Sequence, residues 1–377
     1  MDPVAPHPLG LRSPTRRTLL ARAAGALSLL ALAPAAAVVA KTKSGSTKAG
    51  PSVDVRRFGA RGDGTGDDTG AIQAAIDSLH GGGIVRVPAG IYRIDTLHSV
   101  RLRSGVHLQM AKGAELHAIP NAAPRSYVLL IQAVEDVQVS GGRIVGDRDR
   151  HLGTDGEWGH GIAIYDGVRV VIRDIHISRC WGDGISIGGK RRGKNDPRPS
   201  MDVEIANVRS IGNRRQGLSV GRSRRVWVHD CEFAGTGGTP PMAGIDVEPD
   251  KGDPAKDVRI ERCHCHDNRG PGIQVWMETH DVVIRDCTIE RNRNPGILAV
   301  GANGLTIEGN RIRDNTKVGI LLRKQSRGVR IAGNTFEGNA PGRKRRPQGI
   351  DDPRWARHLE VAADAYRPQI GPGNRLE

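Results

Sequence analysis

One pattern, repeated about every two dozen residues from Arg225 to Asn339, limits what this chain can fold into. Its clearest copy is Val258, Ile260, Cys263, Asn268, Gly272, Ile273 and Val275. It recurs at Val282, Ile284, Cys287, Asn292, Gly296 and Ile297, and again at Leu305, Ile307, Asn310, Asn315, Gly319 and Ile320. Weaker copies reach back through Val226, Val203 and Val170 and forward to Val329 and Asn339. The marker glycine stands at 161, 184, 217, 244, 272, 296 and 319, in steps of 23 to 33 residues. A near-constant step with loops of variable length describes a solenoid, in which each turn buries its apolar face only against its neighbours. Within a copy the branched residues alternate, Val258 with Ile260 and Ile273 with Val275, which is strand periodicity with one face in and one out. A leucine-rich repeat also places an Asn at a fixed offset. It wants Leu at most core positions and often a helical segment per turn, whereas this core is Ile and Val in two strand segments. The pattern therefore predicts an all-β, single-stranded parallel β-helix. Its aligned Asn and Cys side chains should stack at the corners, where a buried amide bonds the copies above and below.

Composition agrees with a narrow solenoid. Three Phe and four Tyr in 377 residues are too few for a large aromatic core. The net charge is +15, and removing residues 1–40, which hold four Arg and Asp2, leaves +12. Such a balance favours polyanionic partners, although outward arginines on strands serve solubility and edge protection equally well. Nucleic acid is only a weak third option, because the aromatic interleaving along a basic track that single-strand binding needs is missing. Of five Cys, Cys231, Cys263 and Cys287 share one column, Cys265 lies in the next, and Cys180 takes the corner held elsewhere by Asn213, Asn268 and Asn292. Buried, reduced stacking is expected, with a disulfide between neighbouring turns as the alternative in an oxidising compartment. Cys263 and Cys265 lack a second ligand pair at zinc spacing.

Residues 1–40 read as an export signal. Thr15, Arg16, Arg17 and Thr18 resemble the twin-arginine motif and precede an Ala/Leu run, so the Tat machinery is an expected partner and the periplasm or exterior the expected location. No stable membrane anchor is expected from so weakly apolar a run. Residues 41–52 read as a disordered linker, 53–339 as the β-helix, and 340–377 as a basic segment and C-terminal cap, with GRKRRP as a solvated tail. A monomer is expected. Asp68 or Thr69 should cap a helix running to about Leu79, with an apolar face of Ile72, Ala75, Ile76 and Leu79. Such a helix would close the exposed first turn of a solenoid.

The stretch DVRRFGARGDGTGDDTGAIQAAIDSLHGGGIVRVPAGIYRID, residues 54–95, resembles the opening of the pectate-lyase-like superfamily. The resemblance implies a right-handed coil acting on or binding polysaccharide. It leaves the chemistry open, because lyases, hydrolases, uronate epimerases and phage tailspikes share this opening.

Strand alternation then places the candidate site. If the branched residues of each Gly-Ile-x-Val strand face inward, the outward pairs are Ala163 and Tyr165, Ser186 and Gly188, Ser219 and Gly221, Asp246 and Glu248, and Gln274 and Trp276. Directly before the glycines stand His160, Asp183, Gln216, Ala243 and Pro271. The candidate catalytic residues are Asp183, Asp246, Glu248 and His160. Asp183 and Asp246 sit two rungs apart, about 10 Å along the stack. That suits two carboxyls flanking a glycosidic bond at an inverting separation of roughly 6.5 to 9.5 Å. In a lyase or epimerase, His160, Arg215 or Lys251 would take the proton next to a uronate carboxylate while Ca²⁺ or Arg neutralises it. Candidate sugar contacts are Trp158, Trp181, Arg215, Gln216, Gln274 and Trp276, and Asp246, Glu248 and Asp250 are candidate Ca²⁺ ligands. WGDGISI and RQGLSVG resemble two motifs of polygalacturonase-type hydrolases, with Gly182, His160 and Gln216 standing where that pattern has two Asp and a His. Three insertions should wall the groove: Asp147–His160, the basic Gly188–Ser200, and Ala234–Ala243. The expected function is cleavage or modification of an acidic polysaccharide, and the alternative is a non-catalytic β-helix that binds envelope glycan.

Overall fold

The computed structural model describes residues 50–191 and 196–377. The leader, most of the linker and residues 192–195 of the basic insertion lie outside the described residues. From Ser52 to Leu376 the chain coils through three parallel sheets, of twelve, twelve and ten strands among the described residues. Successive coils contribute one strand to each sheet, as the repeat requires. In the third sheet, Trp158–Tyr165, Ile185–Gly188, Leu218–Val220, Ile245–Val247, Ile273–Val275 and Ile297–Val300 lie side by side. Their register stacks Ile162, Ile185, Leu218, Ile245, Ile273 and Ile297 in one column, every one fully buried. This is the protein's right-handed parallel β-helix: a cylinder whose core is a set of aliphatic ladders.

The corners carry the expected ladders. Asn292 Nδ2 donates to Asn315 Oδ1 (3.0 Å) and to the Cys265 carbonyl (3.1 Å), and its Oδ1 accepts from the backbone N–H and Nδ2 of Asn268. Thr236 takes the rung between Asn213 and Asn268, and Cys180 N–H donates to Asn213 Oδ1. At a second corner the rungs run Cys231, Cys263, Cys287, Asn310 and Asn334, and all five Cys are free and buried. The marker glycines are sterically required. A Cβ on Gly272 would lie 2.4 Å from Ile289 Cγ2 and 2.9 Å from the Gly296 carbonyl oxygen.

Near the start of the first sheet's strands the chain passes through left-handed residues. On four successive rungs these are Asp136, Arg169, Asp202 and Arg225, alternating acid with base. Arg169 meets Asp136 and Arg225 meets Asp202, each at 2.6 Å. These pairs are exposed and contribute little to stability.

The helix Thr69–Asp77 buries Ile72, Ala75 and Ile76. Asp68 precedes it without capping it. Its carboxylate turns back to accept from the N–H groups of Arg61 (2.7 Å) and Gly62 (3.3 Å), and Asp67 accepts from Thr69 instead. At the other end, Leu359–Val361, Gln369–Ile370 and Arg375–Leu376 each extend one of the three sheets, and Trp355 packs edge-on to Phe336 at 5.4 Å. The run from Gly342 is exposed at Lys344, Arg345 and Arg346, as a solvated stretch is, and anchored on either side of them. Arg343 donates to the Ala356 carbonyl and pairs with Glu360, and Pro347 is buried.

Candidate functional site

The third sheet's outward column is Ala163, Ser186, Ser219, Asp246 and Gln274, in register rung by rung. The corner before each strand presents Tyr127, His160, Asp183 and Gln216 in turn. Acids distant in sequence therefore meet because they occupy neighbouring columns two rungs apart, with Arg215, Gln216 and Ser219 on the rung between.

Arg215 is the centre of this meeting. Only 13% of its side chain is exposed, and it faces three carboxylates: Glu248 at 2.6 Å, Asp183 at 3.3 Å and Glu157 at 3.4 Å. Ser219 Oγ also donates to Asp183 Oδ2 (2.9 Å). Gln216, fully buried, accepts from Arg215 through its Oε1 and donates through Nε2 to Asp246 Oδ2 (2.7 Å) and Glu248 Oε1 (3.0 Å). Gln274 donates to the same Asp246 oxygen at 2.8 Å, while Asp246 Oδ1 is buried without a partner.

Burial dominates the proton affinities here, because desolvation penalises the charged form. It pushes the Asp183 carboxyl up to about 6, against the pull of Arg215 and Ser219. Burial, reinforced by the neighbouring Glu248, raises Asp246 well above the usual carboxylate range, and burial also raises Glu248. Two carboxyls that close cannot both ionise readily, so the pair retains a proton to higher pH than an ordinary acid. His160 is pushed down to about 3 by burial and by Arg215 and Arg125, so it is neutral. Its Nδ1 accepts from the Asp183 N–H at 3.0 Å, which leaves Nε2 as the protonated nitrogen.

Over these residues lies an open groove of about 540 Å³. Asp183, Ser219, Arg215 and Glu248 line its floor, and Arg125, Tyr127, Trp158 and Tyr165 line one end. Trp158 is 41% exposed, with the Arg125 guanidinium 5.0 Å from its ring centre. Lys190, Arg222, Asp250 and Asp253 line the other end, where Arg222 pairs with Asp253.

The structure thus brings Asp183, Glu248, His160, Arg215 and Trp158 to one groove. It moves others out. Asp246 lies beneath the floor under two amides, so Gln216 and Gln274 hold an acid rather than sugar. Trp181 stacks on His151 at 4.0 Å, carries Arg214 3.8 Å over its ring, and bonds the Asp155 carbonyl. Trp276 sits under Lys324, 5.2 Å away, outside the groove lining. Lys251 is exposed and does not line the groove. Asp246, Glu248 and Asp250 do not form an oxygen cage, since the first two turn to amides and Arg215 while Asp250 is exposed. Among the described residues no three His, Cys, Asp or Glu side chains converge as metal ligands. Insertion 234–243 also misses the groove and packs on Arg214 through Gly238 and Thr239. The turn from Glu248 to Asp253 forms that wall instead. Arg125 and Tyr127 went unnoticed because their coil lacks the glycine marker; their register under Trp158 and His160 was the available signal.

Residues 52–117 match the family described as rhamnogalacturonase A/epimerase, pectate lyase-like, and residues 197–351 match the right handed beta helix region. The chain has the fold of a right-handed parallel β-helix, and its first coils match a pectate-lyase-like family. It is 29% identical over 282 residues to the uncharacterized protein YclG of Bacillus subtilis, covering 69% of this chain and 45% of that protein. With mannuronan C5-epimerase AlgE5 of Azotobacter vinelandii it shares 27% identity over 320 residues, 75% of this chain and 32% of that one. The A-module of mannuronan C-5 epimerase AlgE4 from the same organism superposes with a TM-score of 0.60 at 20% identity, covering 87% of this chain and 97% of the module. The β-helix chain spans about half the length, or less, of these curated relatives. Relatives on this fold act on polysaccharides.

Proposed function

We propose that the protein cleaves or modifies an acidic, uronate-containing polysaccharide in the groove by carboxylate acid–base chemistry. The observation that carries this reading is Arg215 clamped between two carboxyls of raised proton affinity, Asp183 and Glu248, on the floor of an open groove. Asp183, titrating near 6, is ionised at neutral pH yet basic enough to accept a proton. Glu248 shares a retained proton with Asp246 beneath it and is the acid. Arg215 supplies the positive charge that a uronate carboxylate meets, and Trp158 the exposed ring on which a sugar face lies. Elimination, hydrolysis and C5 epimerisation all need this acid–base pair, and the leader read in residues 1–40 would deliver the protein to a glycan outside the cytoplasm.

The test is incubation of the wild type, Asp183→Asn and Glu248→Gln with polygalacturonate and polymannuronate. Unsaturated ends followed by absorbance report elimination, new reducing ends alone report hydrolysis, and altered C5 configuration by NMR reports epimerisation. One of these is expected from the wild type and none from either variant. Binding without any of the three would make the protein a glycan-binding module and sink the enzyme reading.

A further inference from the structure

On the second sheet, at the same coils as the groove, lies another recess of about 540 Å³. Its floor is a column of modest side chains, Val145, Ser178 and Ile211, from the strands Arg143–Val145, His176–Ser178 and Arg209–Ile211. Its walls carry Arg143, Arg148 and Arg179, against a single lining acid, Asp149. Some outward arginines on these sheets meet an acid on a neighbouring rung closely, as Arg209 meets Glu232 at 2.6 Å, and others loosely, as Arg285 meets Glu308 at 3.6 Å. Arg143 is of the loose kind and also lines the recess. It approaches Glu115 only to 3.5 Å and turns its guanidinium onto His176 Nδ1 at 3.1 Å. His176 is held neutral by burial and by Arg143 and Arg209, so it orients the guanidinium without neutralising it. Arg148 is consumed by the Gly212 and Gly237 carbonyls. Arg143 and Arg179 remain about half exposed on the walls of the recess.

We propose that this recess is a second binding site for the carboxylates of an acidic polysaccharide, with Arg143 and Arg179 as its anchors. Asp149, the carboxylate already on Arg179, occupies the position that a ligand carboxylate takes. The loop that carries Arg148 and Asp149 past the recess continues to Glu157 and Trp158 in the groove, so one polymer chain can engage both faces across that corner. The identity of the polymer rests on the reading of the groove; the existence of the site does not.

Affinity electrophoresis through gels holding polygalacturonate, dextran sulfate or neutral dextran tests this, with turnover of short uronate oligomers measured in parallel. Arg143→Ala/Arg179→Ala should weaken retention by both anionic polymers roughly tenfold or more, as expected for two charge-assisted contacts. It should leave retention by neutral dextran and oligomer turnover unchanged. Asp149→Asn should strengthen retention by removing the competing carboxylate. Glu248→Gln should abolish turnover while keeping Arg143-dependent retention. Unchanged retention in the double arginine variant, or weaker retention in Asp149→Asn, overturns the site. Arg143-dependent retention without turnover of any uronate would refute the groove chemistry and leave this site standing.

Discussion

Replacing Asp183 by Asn should make the protein more stable and inactive at once. Asp183 is fully buried, and its carboxyl titrates near 6 rather than 3.8. The folded protein therefore binds this proton more tightly than the unfolded chain does. Below about pH 3.8 both states are protonated and Asp183 costs nothing. As the pH rises towards 6 the unfolded chain ionises first, stability falls, and above 6 the loss levels off at roughly 3 kcal/mol. An amide keeps the shape and can still accept from Ser219, but it carries no charge to desolvate. The melting temperature of Asp183→Asn should thus exceed that of the wild type by about 3 to 6 °C at pH 8, and the difference should vanish near pH 4. The comparison must be between the two proteins, because His160 acts in the opposite direction over an overlapping window. Its folded value of about 3 lies below its ordinary 6.5, so it destabilises both proteins as the pH falls. Calorimetric melts at pH steps between 4 and 8 measure the difference directly. If Asp183→Asn melts lower than the wild type at pH 8, the carboxylate is a net stabilising partner of Arg215. Burial of Asp183 would then not be what raises its proton affinity.

Other outcomes follow from the same geometry. Turnover should rise with pH through about 6 as Asp183 ionises, and a flat profile from pH 5 to 8 would remove it as the base. Asn292→Ala strands two donors of Asn268 and removes a bond to the Cys265 carbonyl, while Asn315 Oδ1 keeps the backbone N–H of residue 292, and it should cost about 3 kcal/mol by denaturant melt. Gly272→Ala should fail to give soluble protein or should melt far below the wild type, because backbone and Ile289 occupy the methyl's space. Trp158→Ala should raise KM for polymer with little change in melting temperature, since the ring is exposed on the groove edge.

The coil was legible in the sequence because its physics repeats: each rung must fill one slice of a narrow core and satisfy one pair of corners, so Ile, Asn and Gly recur where those demands recur. The acids were legible by the same logic, since Asp183 shares a corner column with His160 and Gln216, Glu248 shares an outward column with Gly188 and Gly221, and register alone carries them together. Burial was not legible. Strand alternation marks Asp246 as outward, and it is outward, but two glutamine amides on the neighbouring coils close over it and convert a surface acid into a proton-holding group under the floor. Alternation gives direction without depth, because depth depends on what adjacent coils place overhead. Trp181 shows the same limit: its position beside the acids invites a sugar, yet His151 and Arg214, from a loop and from the next coil, reach its ring first. The arginine recess eluded pattern reading for the reverse reason. An arginine column looks the same in sequence whether or not acids face it, and only the coiled chain shows Arg143 and Arg179 about half exposed around one recess whose lining holds a single acid, Asp149.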